Sequence, residues 1–248
     1  MENPVYIGLS RQVALRAQMD LIANNVANMS TPGYRAQNMV FTEFIERPEG
    51  KHESLRKHDP LSMVLDYGHY QVTEPGPMEF TGGKFDVALN GPGYMGIQKE
   101  GSEETLYTRA GNFQINVLGE LITGRGDKVL GEGGGPIIIP EDSQDVRIAE
   151  DGSVATEDGQ VGKLMIVEFE NLQELEARGD GLYQTEQQGL PALNTRAIQG
   201  MVEGSNVKPV LEMTRMIDVH RAYQQTQRLL QSEHDRQRTM IQRLSRGQ

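Results

Sequence analysis

The sequence contains no cysteine and no tryptophan, and aromatic residues make up only 6% of its 248 residues. Without cysteine the chain can form no disulfide, no thiol nucleophile and no cysteine metal site. Hydrophobic residues reach 37%, which is low for a single compact enzyme core. These shortages favour an elongated protein with much surface per residue.

Long apolar runs are also missing. No window of about 18 apolar residues is present, so we expect no transmembrane helix and no insertion in a membrane. The N-terminus, MENPVYIGLSRQ, contains an acid, a proline and no apolar run of the length that a secretory signal peptide needs. We therefore expect a protein that stays in the cytosol or leaves it without a cleavable signal peptide.

Charge is unevenly distributed along the chain, whose net charge is -11. Residues 36–207 carry 29 acids and 13 bases, whereas residues 208–248 carry 8 bases and 4 acids. An acidic middle argues against nucleic acid as the main partner. The basic residues at the C-terminal end are spread around the predicted helix and interrupted by acids, so we expect no nucleic-acid partner there either.

The longest helix-forming stretch runs from Glu203 to Leu244. Ser205 or Asn206 is predicted as its N-cap, and Pro209 suits a first helical turn. A helix over 207–245 would be about 58 Å long. Its apolar seam consists of Met213, Met216, Tyr223, Leu230, Ile241 and Leu244, with Ile217, Val219 and Ala222 beside it, and the polar positions between are His220, Gln227, His234 and Gln237. One small domain cannot bury such a seam, which predicts a partner helix of the same or a neighbouring chain.

A second long helix is predicted over 4–28, with Asn3 as cap and Pro4 in the first turn. It ends before a turn at 30–34, where the sequence is STPGY. Its apolar residues cover two faces, so we expect contacts from more than one side. The two terminal helices could pair as an intrachain coiled coil, with the middle of the chain inserted at one end.

The middle of the chain is dominated by short strands and turn signals. Strands are predicted near 63–72, 84–90, 94–98, 105–109, 112–116, 120–123, 127–130, 136–139, 145–149, 153–156 and 162–170. The expected fold class is α+β, with terminal helices and an inserted, mainly antiparallel β domain. The predicted domains are a terminal helical assembly domain (1–35 with 203–248), an extended arm or linker (36–80) and a β-rich outer domain (81–202). Within the arm, residues 46–61 are predicted as a loop, an arm or a disordered segment.

No catalytic, cofactor or metal site is predicted. The glycine run at 131–135 lacks the Gly-Lys-Ser/Thr ending of a phosphate loop, and Arg125-Gly126-Asp127 is predicted to be a turn. His220 and His234 are about 21 Å apart along one helix, too far to share a metal. The acid pairs at 103–104, 141–142 and 157–158 fall in predicted turns without an apolar pocket to raise a carboxyl pKa. A hydrolase acting through the acidic β domain is the enzymatic alternative.

Three segments resemble the flagellar rod and hook family, the axial proteins of the bacterial flagellum. They are LIANNVANMSTPGYRAQ (21–37), YTRAGNFQINVLGELITGRGDKVLG (107–131) and IQGMVEGSNVKPVLEMTRMIDVHRAYQQTQ (198–227). Together they lie at the start, middle and end of the chain. The resemblance implies that residues of the first and third segments form an assembly signature. These residues are Asn24, Asn25, Asn28, Thr31, Gly33, Tyr34, Glu203, Ser205, Asn206, Val207, Met213, Met216, Ile217, Arg221, Ala222 and Tyr223.

The resemblance implies a structural subunit that assembles axially with copies of itself and with other rod proteins. In such an assembly the terminal helices pack inside, the β domain lies outside, and the rod transmits torque for motility. The resemblance also implies export through the flagellar type III apparatus to the basal body, without a cofactor. The opening residues and the length of 248 resemble the proximal rod member, with a distal rod or hook-type subunit as the alternative.

Overall fold

The computed structural model describes residues 3–46, 61–99, 101–102, 104–140, 143 and 145–246. Long helices lie at both ends, with antiparallel strands between them, so the predicted α+β class is confirmed. The chain divides into two compact units. The helical unit comprises 1–27, 37–70 and 208–248, and the β unit comprises 28–36 and 71–207. The predicted three-part domain division stays a prediction.

The helical unit contains α1 (Asn3–Ala27) and α2 (Pro209–Arg246), which confirms both predicted helices with ends shifted by one or two residues. They contain 25 and 38 residues, so they are about 38 Å and 57 Å long. The unit also contains β1 (Gln37–Glu46) and β2 (Leu61–Gln71), which pair in a two-stranded sheet. The segment predicted as a loop at 46–61 lies, apart from its two end residues, outside the described residues.

The two helices pack against each other in opposite directions. A Cβ atom at Gly8 would lie 2.8 Å from Leu230 Cδ2, and Asn25 Nδ2 lies 3.3 Å from Glu212 Oε2. Residue numbers therefore rise along α1 as they fall along α2. The α2 residues turned inward alternate at spacings of four and three, namely Glu212, Met216, Val219, Tyr223, Thr226 and Leu230.

The β unit consists of short strands and one 3₁₀ turn (Leu172–Glu174). Its strands are β3 (Met78–Phe80), β4 (Val87–Asn90), β5 (Tyr94–Gln98), β6 (Thr105–Thr108), β7 (Phe113–Ile115), β8 (Leu121–Thr123), β9 (Lys128–Val129), β10 (Val146–Ile148), β11 (Ser153–Thr156), β12 (Gly159–Lys163), β13 (Ile166–Glu168), β14 (Glu176–Gly179), β15 (Leu182–Gln184), β16 (Leu190–Pro191), β17 (Arg196–Gln199) and β18 (Met201–Glu203). The frequent glycine turns account for their brevity.

The largest sheet has nine strands, seven of them in the order β14-β15-β6-β5-β9-β8-β7. Strand β13 pairs with β5 and β16, while β10, β11 and β12 form a separate sheet and β17 with β4 and β18 with β3 form two ribbons. Every pairing with a given register is antiparallel, for example Gly96 opposite Tyr107. The alternating inward residues of these strands form the larger of two apolar clusters, which includes Val87, Leu89, Met95, Ile97, Leu121, Val129 and Val154.

Two predicted strands match to the residue, 94–98 and 153–156, and most others match within a few residues. The strand predicted at 136–139 is wrong, because Pro136 and Ile138 form only isolated bridges. Strands β1, β3 and β14 to β18 were not predicted, because most of them are short, polar or interrupted by glycine. Among the described residues, no helix has an apolar stretch long enough to cross a bilayer.

Candidate functional site

The N-terminal signature closes into a tight turn where α1 ends. The backbone N–H of Thr31 donates to Asn28 O (3.1 Å), and its hydroxyl donates to Asn28 Oδ1 (3.2 Å). The N–H of Tyr34 then donates to Thr31 O (3.2 Å). Asn28 thus has the helix-ending position that its sequence context predicts.

Gly33 brings this turn against the other two signature segments. Its φ is +66°, and a Cβ there would lie 2.4 Å from the carbonyl carbon of Arg109. Its N–H donates to the backbone oxygen of Glu203 (2.7 Å). The left-handed conformation and the close approach each require glycine at this position.

A buried cluster of charges lies beside Gly33, and we call Arg35, Arg109 and Glu203 the charge cluster. Glu203 is only 1% exposed. Its Oε1 accepts from Arg35 Nη2 (2.7 Å) and from the backbone N–H of Gly76 (3.0 Å). Its Oε2 accepts from Arg109 Nε (2.9 Å) and Nη2 (2.7 Å). One carboxylate therefore joins two guanidiniums in the interior, where charges require partners.

The guanidinium of Arg109 has an acceptor for each of its five N–H donors. Beyond its two bonds to Glu203, Nη1 donates to the carbonyls of Gly91 (2.7 Å) and Gly93, and Nη2 donates to Leu89 O (3.1 Å). The acceptors belong to β4 and the turn that follows it. Arg109 therefore connects this turn to the C-terminal signature through Glu203.

The second guanidinium, of Arg35, donates through Nη1 to the carbonyl of Glu74. Burial lowers the pKa of Arg35, and this effect is opposed by the negative charge of Glu203 and reinforced by the positive charge of Arg109. The cluster thus carries two positive charges against one negative charge. Glu203 is the carboxylate that bonds to Arg35.

Two tyrosines form an apolar wall next to the charge cluster. The ring centroids of Tyr94 and Tyr183 are 5.6 Å apart in an edge-on arrangement, and the guanidinium carbon of Arg109 lies 5.6 Å from the Tyr94 ring centroid. Burial raises the pKa of both phenols above the ordinary value of 10.0. Both remain neutral at physiological pH, so they add no charge to the cluster.

The C-terminal signature contributes a second set of contacts through Asn206. Its Oδ1 accepts from the N–H of Ala36 (2.6 Å), and its Nδ2 donates to the carbonyls of Val72 (3.0 Å) and Glu74 (2.9 Å). Val207 is buried, and its N–H donates to Ser205 Oγ (3.3 Å). The prediction of Ser205 or Asn206 as helix N-cap is therefore wrong, because α2 begins only at Pro209 and both side chains bond within the β unit.

In the helical unit, Asn25 is a buried polar residue of α1 that bonds to α2. Its Nδ2 donates to Gln37 O (2.9 Å) and Glu212 Oε2 (3.3 Å), and its Oδ1 accepts from Gln37 N (3.0 Å). Glu212 also accepts from Arg215 (2.7 Å), whereas Asn24 is exposed. A buried polar pair of this kind can favour one register of packed helices.

Two apolar stripes on the terminal helices are uncovered by the described chain. The α1 stripe is Tyr6, Leu9 and Val13, which are 54%, 51% and 63% exposed. The α2 stripe is Val210, Met213 and Ile217, which are 80%, 49% and 52% exposed. Within each stripe the residues are three and four positions apart, so they share one face of their helix.

The predicted seam of α2 is therefore divided between two faces. Met216, Tyr223 and Leu230 turn inward with the half-buried Ala222, whereas Met213, Ile217 and Ile241 are exposed with Arg221. Of the polar seam positions, His220, Gln227 and His234 are exposed and Gln237 is half-buried. The role of these residues in assembly stays a prediction, as does that of Thr31, Gly33 and Tyr34.

The part of the chain that the structure describes contains no metal-binding cluster. No three His, Cys, Asp or Glu side chains there are grouped so that they could hold a metal ion. Asp127 is buried and accepts from Thr123, as expected for a turn, and Glu157 and Asp158 are exposed between β11 and β12. His52, His58, Glu103 and the pair at 141–142 lie outside the described residues.

Three family models match the chain, and each contains one member of the charge cluster. The model described as flagella basal body rod protein matches residues 5–35, which include Arg35. The flagellar hook protein FlgE/F/G D1 domain matches 88–156, which include Arg109. The flagellar basal body rod FlgEFG protein C-terminal model matches 198–243, which include Glu203.

The chain is also similar along its length to individual flagellar proteins. It is 35% identical to a flagellar basal-body rod protein FlgF of Caulobacter vibrioides, over 99% of both chains. It is 33% identical to FlgG of the same organism, over 89% of this chain and 91% of the relative. It is 32% identical to FlgF of Salmonella typhimurium, over 94% of both chains.

Proposed function

The chain belongs to the flagellar basal-body rod protein family, and from that premise we propose that it is a structural subunit of the proximal rod. Similarity to a FlgF protein covers 99% of both chains, while the FlgG relative in the same organism matches 89% of this chain. The distal rod is the second candidate, because the FlgG relatives are nearly as similar. Its partners are copies of itself and other rod proteins.

The observation that carries this proposal is the incomplete cover of the terminal helices. The α1 stripe and the α2 stripe place six large apolar or aromatic residues on faces that the described chain leaves in solvent. Exposed apolar residues aligned along one helix face mark an interaction surface. Neighbouring subunits in a rod would cover both stripes.

The unequal helix lengths support the same conclusion. Because Gly8 contacts Leu230 and Asn25 contacts Glu212, the start of α1 lies opposite about residue 235 of α2. The last turns of α2 extend past α1 and include Met240 and Ile241, both exposed. An overhang of this kind provides a surface for the helix of an adjacent subunit.

The finer proposal is that α1 and α2 form a coiled coil that continues between subunits. The inward α2 residues from Glu212 to Leu230 repeat at four and three residues, the average spacing of 3.5 that keeps a seam on one side of a supercoiled helix. The polar pair Asn25–Glu212 would then set the register. Torque would pass along the stacked helices without any catalytic step.

Export through the flagellar type III apparatus to the basal body is part of this proposal. The family membership supports it. We place the protein in the periplasm-spanning rod.

Removal of residues 210–248 tests the proposal. We expect the truncated protein to be absent from purified basal bodies and unable to restore motility to cells that lack the full-length chain. A chain in which the exposed Gln224 and Gln231 are changed to Ser serves as the control, and we expect it to assemble. Rods that contain the truncated chain and support motility would contradict the proposal.

Location within the rod separates the proximal from the distal candidate. We expect an epitope tag in a solvent-exposed turn of the β unit, such as Glu157–Asp158, to be detected at the membrane-proximal end of purified rods. Labelling at the hook-proximal end would favour the distal rod. Either result leaves the structural assignment intact.

A further inference from the structure

The charge cluster gathers residues from distant parts of the chain into one buried contact. Arg35 follows α1, Arg109 follows β6, and Glu203 ends β18, 94 residues beyond Arg109. All three side chains are at most 4% exposed. The contact therefore exists only when both ends of the β unit are in place.

The composition of the cluster makes Glu203 indispensable to it. Two guanidiniums buried together repel each other, and each is deprived of water. Glu203 bonds to both guanidiniums at 2.7 Å, and its negative charge opposes the effect of burial on the pKa of Arg35. Removing its charge would leave two uncompensated cations in the interior, which is far more costly than the loss of one hydrogen bond.

We propose that the charge cluster controls closure of the β unit; we call this arrangement the lock and Glu203 its latch. The β unit closes only when Arg35 and Glu203 both contact Arg109. The Gly33 N–H bonded to Glu203 O and the Asn206 side chain bonded to Ala36 connect the same two segments independently of charge. Arg109 in turn connects the latch to the carbonyls of Leu89, Gly91 and Gly93. The inference goes beyond the proposed function, because it concerns how the β unit itself becomes folded.

If Glu203 acts through its charge, the effect of replacing Arg35 depends on whether that charge is present; if Arg35 only fills space, it does not. In the wild-type background, Arg35→Met removes a bond to Glu203 and should destabilise the β unit. In the Glu203→Gln background, the same Arg35→Met change removes one of two repelling cations and should stabilise it. The effect of the Arg35 substitution therefore reverses sign, whereas a residue that only fills space acts alike in both backgrounds.

The test uses four full-length proteins: wild type, Arg35→Met, Glu203→Gln and the double variant. Urea unfolding gives the folding equilibrium constant, and hydrogen exchange follows β4 and the segment 31–36. We expect Glu203→Gln to lower the folding constant by about 100-fold or more. We expect the double variant to be more stable than Glu203→Gln, and the two segments to lose protection together in Glu203→Gln.

The exposed pair Arg196–Glu150, in which the side chains are 72% and 73% exposed, supplies a matched control. We expect Arg196→Met, Glu150→Gln and their combination to change stability little and additively. If Glu203→Gln does not fold, restoration of folding by added Arg35→Met supports the lock, and failure of restoration overturns it. Equal effects of Arg35→Met in both backgrounds, or loss of protection in only one segment, also overturn it.

Discussion

The helical unit and the β unit bury apolar surface to very different extents. In the β unit, Val87, Leu89, Met95, Ile97, Leu121, Val129 and Val154 are all fully buried. In the helical unit, the buried apolar side chains of the two helices are Ala14, Leu21, Ile22 and Val219, while larger residues of both stripes are in solvent. The β unit has a core of its own, whereas the described helical unit leaves apolar side chains of both stripes in solvent, which the proposed assembly would cover.

The two units also differ in how they use buried polar groups. The β unit encloses the charge cluster, whose two guanidiniums and one carboxylate bond to one another and to backbone groups. The helical unit encloses the pair Asn25–Glu212, and Glu212 has a partner in the half-exposed Arg215. We expect the buried charges to favour one closed arrangement of the β unit, and the pair Asn25–Glu212 to favour one alignment of the two helices.

The largest effect is expected from a cavity in the β unit. Leu121 is fully buried, and Leu121→Ala should lower the free energy of unfolding by about 2–5 kcal/mol, from lost burial and the cavity left behind. Urea unfolding provides the measurement. Leu118→Ala is the matched control, because Leu118 is mostly exposed and a change there should stay within about 0.5 kcal/mol. Similar losses at both positions would show that the β unit has no core of its own.

A break in α2 is expected to affect the helical unit alone. Ala222→Pro removes a backbone hydrogen bond in the helix interior and should destabilise the helix by about 3 kcal/mol or more. We expect reduced helical circular dichroism and lost rod incorporation, with unchanged hydrogen exchange in β4. Ala222→Ser, which keeps the N–H, should preserve assembly. Parallel loss of protection in β4 would mean that the two units fold as one.

Alkaline pH should weaken the β unit through its buried phenols. Burial raises the pKa of Tyr183, so the folded state keeps the proton above pH 10 while the unfolded chain releases it. The stabilising contribution is thus complete below pH 10 and is lost as the pH rises toward the folded pKa. For Tyr183 the loss should reach about 1.4 kcal/mol at pH 11.

The measurement is urea unfolding at pH 8 to 11 for wild type and Tyr183→Phe. We expect a shallower alkaline decline in Tyr183→Phe, because the phenol that ionises in the unfolded chain is gone. Tyr6→Phe should retain the wild-type decline, since Tyr6 lies in the helical unit and is 54% exposed. Identical slopes in wild type and Tyr183→Phe would contradict this account.

The exposed stripes are where we expect the smallest effect on the stability of the monomer, together with a large effect on assembly. Val13→Ser with Ile217→Ser removes one residue from each exposed stripe, so the free energy of unfolding should change by only about 0.5 kcal/mol or less. Incorporation into basal bodies should nevertheless fall, because we expect these side chains to contact neighbouring subunits in the rod. Thr214→Ser, on the exposed side of α2, controls for expression and export. Normal incorporation of the double variant would remove the stripes from the assembly surface.

Local signals predicted the terminal helices, since proline, glycine and apolar spacing all act within a few residues. They did not select the inward face of α2, because the helix has two apolar rows. Met216, Tyr223 and Leu230 form one row, and Met213 with Ile217 belongs to the other. Only the position of α1 decides which row is buried, and that position is a tertiary property.

The charge cluster was only partly predictable. Glu203 belonged to the predicted assembly signature, but Arg35 and Arg109 were not identified as site residues. Their contacts with Glu203 span long stretches of chain, and such contacts leave no periodic pattern. One signal was available: Glu203 directly follows the apolar Met201 and Val202 in a strand, where an acid requires a buried partner.

The position of Glu203 in the sequence determines when, during synthesis, the lock can close. Translation proceeds from the N-terminus at about 5–20 residues per second, so the latch residue emerges roughly 10 to 30 seconds after Arg35. Until then, Arg109 lacks the carboxylate of Glu203, and we expect the strands around it to remain incompletely packed. If the lock operates as proposed, the β unit reaches its closed, rigid arrangement only after residue 203 has been synthesised.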